Sequence, residues 1–100
     1  MNFLESYISQ IQYLCSQHKV RSLFAFGSVI SGSFSSNSDI DMIVDFEEQN
    51  PLEYSENYFQ LKFQLQDLLK RPVDLLEKKA LHNPFLLNKI ESTKIPVYGN

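Results

Sequence analysis

The apolar positions of this chain recur with two different periods. Between Asn2 and Gln17, Leu4, Ile8, Ile11 and Cys15 fall three or four residues apart, and Ser and Gln fill the other face. That spacing predicts an amphipathic helix. Val20 to Phe26 is short, apolar and aromatic and stops at Gly27, the pattern of a buried strand ended by a tight turn. The serine-rich stretch from Ser31 to Ser38, with Gly32 and Asn37, reads as a loop or a short helix with a loop. From Asp39 to Phe46 the period drops to two. Ile40, Met42 and Val44 point one way, and Asp39, Asp41 and Ile43 the other, so a second strand is predicted there.

Helix-start signals punctuate the second half. Asn50 can cap, Pro51 suits the first helical position and Glu53 can reach back, which predicts a helix to about Leu69. Its buried stripe is expected to hold Phe59 and Phe63 (or Leu61 and Leu65) together with Leu68. Pro72 opens a third short strand, Val73 to Leu76, at the one position where a strand tolerates proline easily. Asn83-Pro84 repeats the cap-and-proline signal for a last helix to about Ser92. The tail, Ile95 to Tyr98, reads as extended chain packed on the sheet edge. The order is helix, strand, short helix, strand, helix, strand, helix, an α/β chain of the α+β type.

Bulk properties narrow the possibilities. A length of 100 residues fits one compact domain over 1–100, and 43% hydrophobic with 21% charged residues is a globular balance. The net charge of −3 argues against a nucleic-acid partner held by a broad basic surface. It leaves room for a single nucleotide, because a bound metal can supply local positive charge. Cys15 is the sole cysteine, so no intrachain disulfide can form, and it is expected to be a buried helix residue. An acid at Glu5 interrupts the start where a signal peptide would be apolar, and no apolar run reaches membrane-spanning length. The expectation is a soluble, cytoplasmic protein with no membrane partner.

Three features carry candidate chemistry. Gly27-Ser28 directly follows a predicted strand; Asp39-Ile40-Asp41 comes after ten intervening residues; Asp74 sits between the apolar Val73 and Leu75. Asp39 and Asp41 are two apart on a strand, so their carboxylates project from one face. Like charges this close repel unless a cation lies between them, and hard oxygen ligands favour magnesium or manganese. A third carboxylate on a neighbouring strand would complete a site for two cations, ~3.5–4 Å apart in enzymes of this kind. Without a side chain, Gly27 lets a phosphate approach the backbone, and the Ser28 hydroxyl and nearby free N–H groups suit a phosphate oxygen. Ser28 serves equally well as a helix cap.

The combination Gly27-Ser28, ten residues, Asp39-Ile40-Asp41 resembles the signature of the DNA polymerase beta nucleotidyltransferase superfamily. Gly27 to Gly32, Ser38 to Val44 and Arg71 to Leu76 resemble the corresponding segments of its minimal nucleotidyltransferase (MNT) domains. The resemblance implies the nucleotidyltransferase fold, a small mixed sheet of about three strands flanked by helices, with all three acids at one edge. It also implies that Asp39 and Asp41 hold Mg2+ (or Mn2+) at the phosphates of ATP. Asp74 would bind the catalytic metal and help deprotonate the attacking hydroxyl. Many relatives carry an arginine between the Gly-Ser pair and the next glycine; Val29-Ile30-Ser31 stands there in this chain.

Other conspicuous residues have plainer readings. Asp45 and the histidines His18 and His82 are expected at the surface or in loops. Tyr54, Tyr58, Phe59 and Phe63 are expected to be core and interface residues of one helix. Lys70-Arg71 and Lys78-Lys79 read as solvated ends.

Since no segment follows the core, the acceptor is expected to be another protein. MNT proteins of this kind resemble antitoxins paired with a HEPN-domain ribonuclease toxin, and the resemblance implies AMP transfer from ATP to a tyrosine of that toxin. Two other readings stand beside it: a non-catalytic module that masks a HEPN partner, and a nucleotidyltransferase for a small molecule. Homo-oligomerisation is left open.

Overall fold

The structure is a computed structural model that describes residues 3–31 and 39–99. Eight regular elements occur among the described residues: α1 (Ile8–Gln17), β1 (Val20–Phe26), α2 (Ser28–Ser31), β2 (Ile40–Phe46), α3 (Pro51–Leu69), β3 (Val73–Glu77), α4 (Pro84–Thr93) and β4 (Ile95–Tyr98). Short 3-10 turns precede α1 and follow β3. The serine-rich reading of Ser31–Ser38 lies, apart from the backbone of Ser31, outside the described residues.

The helix boundaries follow the cap signals. Asn50 Oδ1 accepts a hydrogen bond from the Glu53 N–H at 2.9 Å, and Asn50 Nδ2 donates to Glu53 Oε1 at 2.6 Å. At the far end Lys70 takes a left-handed φ of 58°, which turns the chain out of the helix just ahead of Pro72. Asn83 Oδ1 caps α4 by accepting from the N–H groups of Phe85 and Leu86.

The sheet is mixed, in the order β3-β2-β1-β4, with β2 parallel to β3 and the other pairs antiparallel. The sequence predicts about three strands; four form, because Ile95–Tyr98 hydrogen-bonds to β1 instead of only resting on the edge. Pro96 is compatible with that because β4 is an edge strand. At the other edge the Val73 N–H donates to the Gln66 side chain at 3.0 Å, which ties the start of β3 to α3.

Strand alternation divides the sheet into two faces. One face carries Leu23, Ala25, Ile40, Met42, Val44, Val73 and Leu75, all buried under Leu4, Ile11 and Cys15 at and before α1 and Leu61, Leu65 and Leu69 of α3. Burial pushes the Cys15 thiol up to about 12, so it stays an uncharged packing residue. The other face carries Phe24, Phe26, Ile43 and Leu76 under Leu86 and Ile90 of α4.

One expectation is settled and another corrected. Of the two stripes the α3 periodicity allows, the one through Leu61 and Leu65 is buried and ends on Leu69, with Leu68 half-buried beside it, while Phe59 and Phe63 are 50% and 56% exposed and stack on each other. The stripe continues through the half-buried Tyr54 and Tyr58, whose hydroxyls are fixed by Glu77 and the Leu75 carbonyl. His18 is buried, not at the surface. The chain turns through a left-handed Lys19 directly after it, and its ring nitrogens lie 3.1 Å from Asn57 Oδ1 and 2.8 Å from Gln64 Oε1 on α3.

Candidate active site

Asp41 is the second residue of β2, and the pairing of both neighbouring strands defines its surroundings. Across the antiparallel pair it faces Phe26, the last residue of β1 before Gly27. Across the parallel pair its partner is Asp74 on β3. Two carboxylates therefore stand side by side on the α4 face, at the end of the sheet where β2 and β3 begin. A hydrogen bond of 3.0 Å from the Ile40 N–H to the Pro72 carbonyl closes that end and holds the strands in register.

Gly27 meets this pair from β1. Its φ of +76° is strained for any other residue. A Cβ added there would lie only 2.7 Å from Asp41 Oδ2. The absent side chain thus makes the space in which the Asp41 carboxylate sits. Ser28 follows at the start of α2, half-buried, and the Ile30 N–H returns to the Gly27 carbonyl at 3.0 Å. Val29 turns inward into the main core, which anchors this four-residue helix.

Asp39 lies one residue before β2, exposed, where the ladder no longer dictates its alternation. Its charge still acts on Asp41. The Asp41 carboxyl is pushed above its ordinary range, first by burial, then by Asp74, with Asp39 adding to the effect and Lys89 of α4 opposing it. The three acids predicted from sequence thus share one electrostatic neighbourhood, with Asp41 and Asp74 directly paired. Among the described residues no three carboxylate, imidazole or thiolate groups converge tightly enough to enclose a cation.

The remaining candidates separate from this end. Asp45 is half-buried further along the same face and meets Arg21 at 3.4 Å. His82 is exposed. Among the described residues Lys89 also acts on Asp41, and the sequence does not flag it, because α4 reaches the acids only through the folding of the sheet.

An α+β chain whose mixed sheet carries a glycine turn and paired carboxylates at one end is built as a nucleotidyltransferase. Comparison with known proteins goes further: residues 9–100 match the family Polymerase beta, Nucleotidyltransferase, and the chain belongs to it. A candidate protein adenylyltransferase of Methanocaldococcus jannaschii is 41% identical over 81 residues, covering 81% of this chain and 80% of that one. The solved structure of a candidate minimal nucleotidyltransferase is similar at a TM-score of 0.76 and 31% identity, over 96% of each chain. A chain in the complex of a tri-AMPylated Shewanella oneidensis HEPN toxin with an MNT antitoxin has the same fold at a TM-score of 0.65 and 19% identity, over 96% of this chain and 72% of that one. Among the described residues no helix is long and apolar enough to cross a membrane.

Proposed function

We propose that this chain transfers AMP from ATP to a protein hydroxyl, that of a tyrosine on a HEPN-type toxin, and so acts as its antitoxin. The observation that carries the reading is the registered Asp41–Asp74 pair with Gly27 shaped around the Asp41 carboxylate. Family membership and the adenylyltransferase relative support the reaction class. The partner is suggested by the HEPN complex that shares the fold.

The donor set fits a hard divalent cation such as magnesium: oxygen ligands only, with a glycine cradle that fixes one of them. Asp39, Asp41 and Asp74 would hold it, and when bound it offsets the negative charge of the triphosphate. Gly27-Ser28 would receive a phosphate against the turn. Asp74, exposed at the rim, would accept the acceptor's proton. The acceptor oxygen then forms a bond to the α-phosphorus, the bond to the β-phosphate oxygen breaks, and pyrophosphate leaves. Positioning does most of the work in such a transfer.

Co-expression with a HEPN partner, followed by mass spectrometry, tests this. AMP on a partner tyrosine is expected, and it should vanish in the Asp39→Ala, Asp74→Ala double variant. Neutralisation that persists in that variant with no adduct would establish a masking module in its place. AMP found on a small molecule with no partner present would defeat both protein-partner readings.

A further inference from the structure

Under the nucleotidyltransferase reading, negative charge accumulates at one end of the sheet. The Asp41 and Asp74 carboxylates are paired there, the charge of Asp39 acts on Asp41, and a triphosphate would add more. Ser28, Val29 and Ile30, directly after the glycine turn, bring no cation. The opposite charge felt by Asp41 comes from Lys89.

Helix packing explains how Lys89 comes to lie there. Its neighbour Ile90 is buried against Phe26 and Ile43. Phe26 is the register partner of Asp41, and Ile43 is the next residue of β2 on the same face. Leu86, three residues before Lys89, packs into the same cluster with Leu76, which is two residues beyond Asp74 on β3. Residues three apart share a helix flank. Leu86 and Lys89 therefore share one flank of α4, distinct from that of Leu87, Glu91 and Lys94, which line a cleft with Ser22 and Phe24 of β1, with Val44 and Asp45 toward the far end of β2, and with Lys78.

The lysines also differ in what already engages them. Lys94 bonds Glu91 at 2.8 Å and lies 4.5 Å over the Phe24 ring. Lys19 bonds Glu53 at 2.9 Å, and Lys79 sits 3.6 Å over the Tyr54 ring. Among the described residues no ion pair or hydrogen bond holds the Lys89 ammonium, and the residue is exposed. A cation on α4 that acts on Asp41, and that no ion pair or hydrogen bond holds among the described residues, suits a ligand that brings anionic oxygens.

We propose that Lys89 binds the phosphate chain of the nucleoside triphosphate, a substrate contact contributed by α4. This rests on the nucleotidyltransferase reading of the acid pair. Lysine serves phosphate as a point charge on a flexible stem, so arginine should largely replace it and glutamine should not.

Calorimetry with the full chain and ATP in magnesium buffer, with adenosine as the phosphate-free control, tests the assignment. Lys89→Gln is expected to weaken ATP binding about tenfold or more, the scale of one charge-assisted hydrogen bond. Adenosine affinity should be unchanged, Lys89→Arg should recover most of the ATP affinity, and the salt dependence of ATP binding should be shallower in Lys89→Gln. Unaltered ATP affinity in Lys89→Gln overturns the proposal, and so does an equal loss for ATP and adenosine, which would make Lys89 structural. If the wild-type chain binds no nucleoside triphosphate at all, the nucleotidyltransferase reading itself fails, and this contact with it.

Discussion

The two faces of the sheet are built from the same strands by the same alternation, yet they are finished differently. On the face under α1 and α3, every β2 position that points inward (Ile40, Met42, Val44 and Phe46) is buried and apolar. On the α4 face the sequence Asp41, Ile43, Asp45 alternates only one apolar residue with two acids, and a ten-residue helix covers the middle. A sealed face contributes stability through apolar burial. A face left open at the end where β2 and β3 begin can hold charged groups that the protein interior would not tolerate. In this fold, stability and chemistry lie on opposite sides of one layer, separated by a single residue step.

The largest expected effect is on the open face. Asp41→Asn should lower AMP transfer by roughly 10³-fold, the scale of removing a preorganised electrostatic group from such a site. Circular dichroism should show the fold unchanged. An unfolded variant would place Asp41 among the structural residues and erase the distinction between the faces.

On the sealed face, Leu65→Ala should cost about 3 kcal/mol through lost burial and the cavity left behind. For a chain of this size that is a fall in Tm on the order of 15 °C. Transfer per folded molecule, measured well below the new Tm, should stay within about twofold of wild type, since effects on sites with no shared partners are close to independent. A loss of activity matching the Asp41 variant would mean that the two faces are coupled.

Much of this division could be read in the chain before folding, and the failures have identifiable causes. The β2 alternation and the Asn50-Pro51 and Asn83-Pro84 helix starts are local signals, and they emerge where expected. The phase of α3 was harder because both of its sides carry large apolar residues. Tyr54, Tyr58, Leu61, Leu65 and Leu69 form one continuous line, and this longer stripe outweighs the Phe59–Phe63 pair. The extended, edge-packed reading of Ile95 to Tyr98 holds, but its pairing with a strand some 70 residues earlier is not a local signal, and Pro96 hides it further. The Asp41–Asp74 pairing was foreseeable as two acids on neighbouring strands, but its register is a property of the sheet. His18 and Lys89 acquire their surroundings only through tertiary packing.

Gly27 joins the two faces, since the strand it ends packs on both. Gly27→Ala should destabilise the chain by about 1–2 kcal/mol, combining a left-handed backbone with a Cβ pressed on Asp41 Oδ2. A double-mutant cycle with Asp41→Ala separates the two causes. The contact should vanish when the carboxylate is removed, leaving about 1 kcal/mol of backbone cost. Strict additivity in denaturant melts would show that Gly27 is needed for its conformation alone.

The smallest expected effect has the opposite sign from the others. Burial and the neighbouring Asp74 raise the Asp41 pKa, so folding favours its protonated form. The sign follows from proton linkage. A carboxyl whose folded pKa exceeds its ordinary value of 3.8 contributes stability below that value and loses the contribution as pH rises through the folded pKa. At neutral pH the charged Asp41 is therefore a burden on the fold in metal-free buffer. Asparagine keeps the shape and removes the charge, so Asp41→Asn should melt higher than wild type at pH 7. The gain should be about 0.5 kcal/mol, the range of a partly exposed substitution, or ~2–4 °C in Tm. The difference should shrink as pH falls toward the ordinary carboxyl value of 3.8 and wild-type Asp41 takes up its proton, and it should diminish on adding magnesium if the acids bind it. A variant that melts lower than wild type at pH 7 in metal-free buffer would mean that the Asp41 carboxylate contributes to stability at the open end as well as to chemistry, and the contrast between the faces would then weaken at the residue on which it most depends.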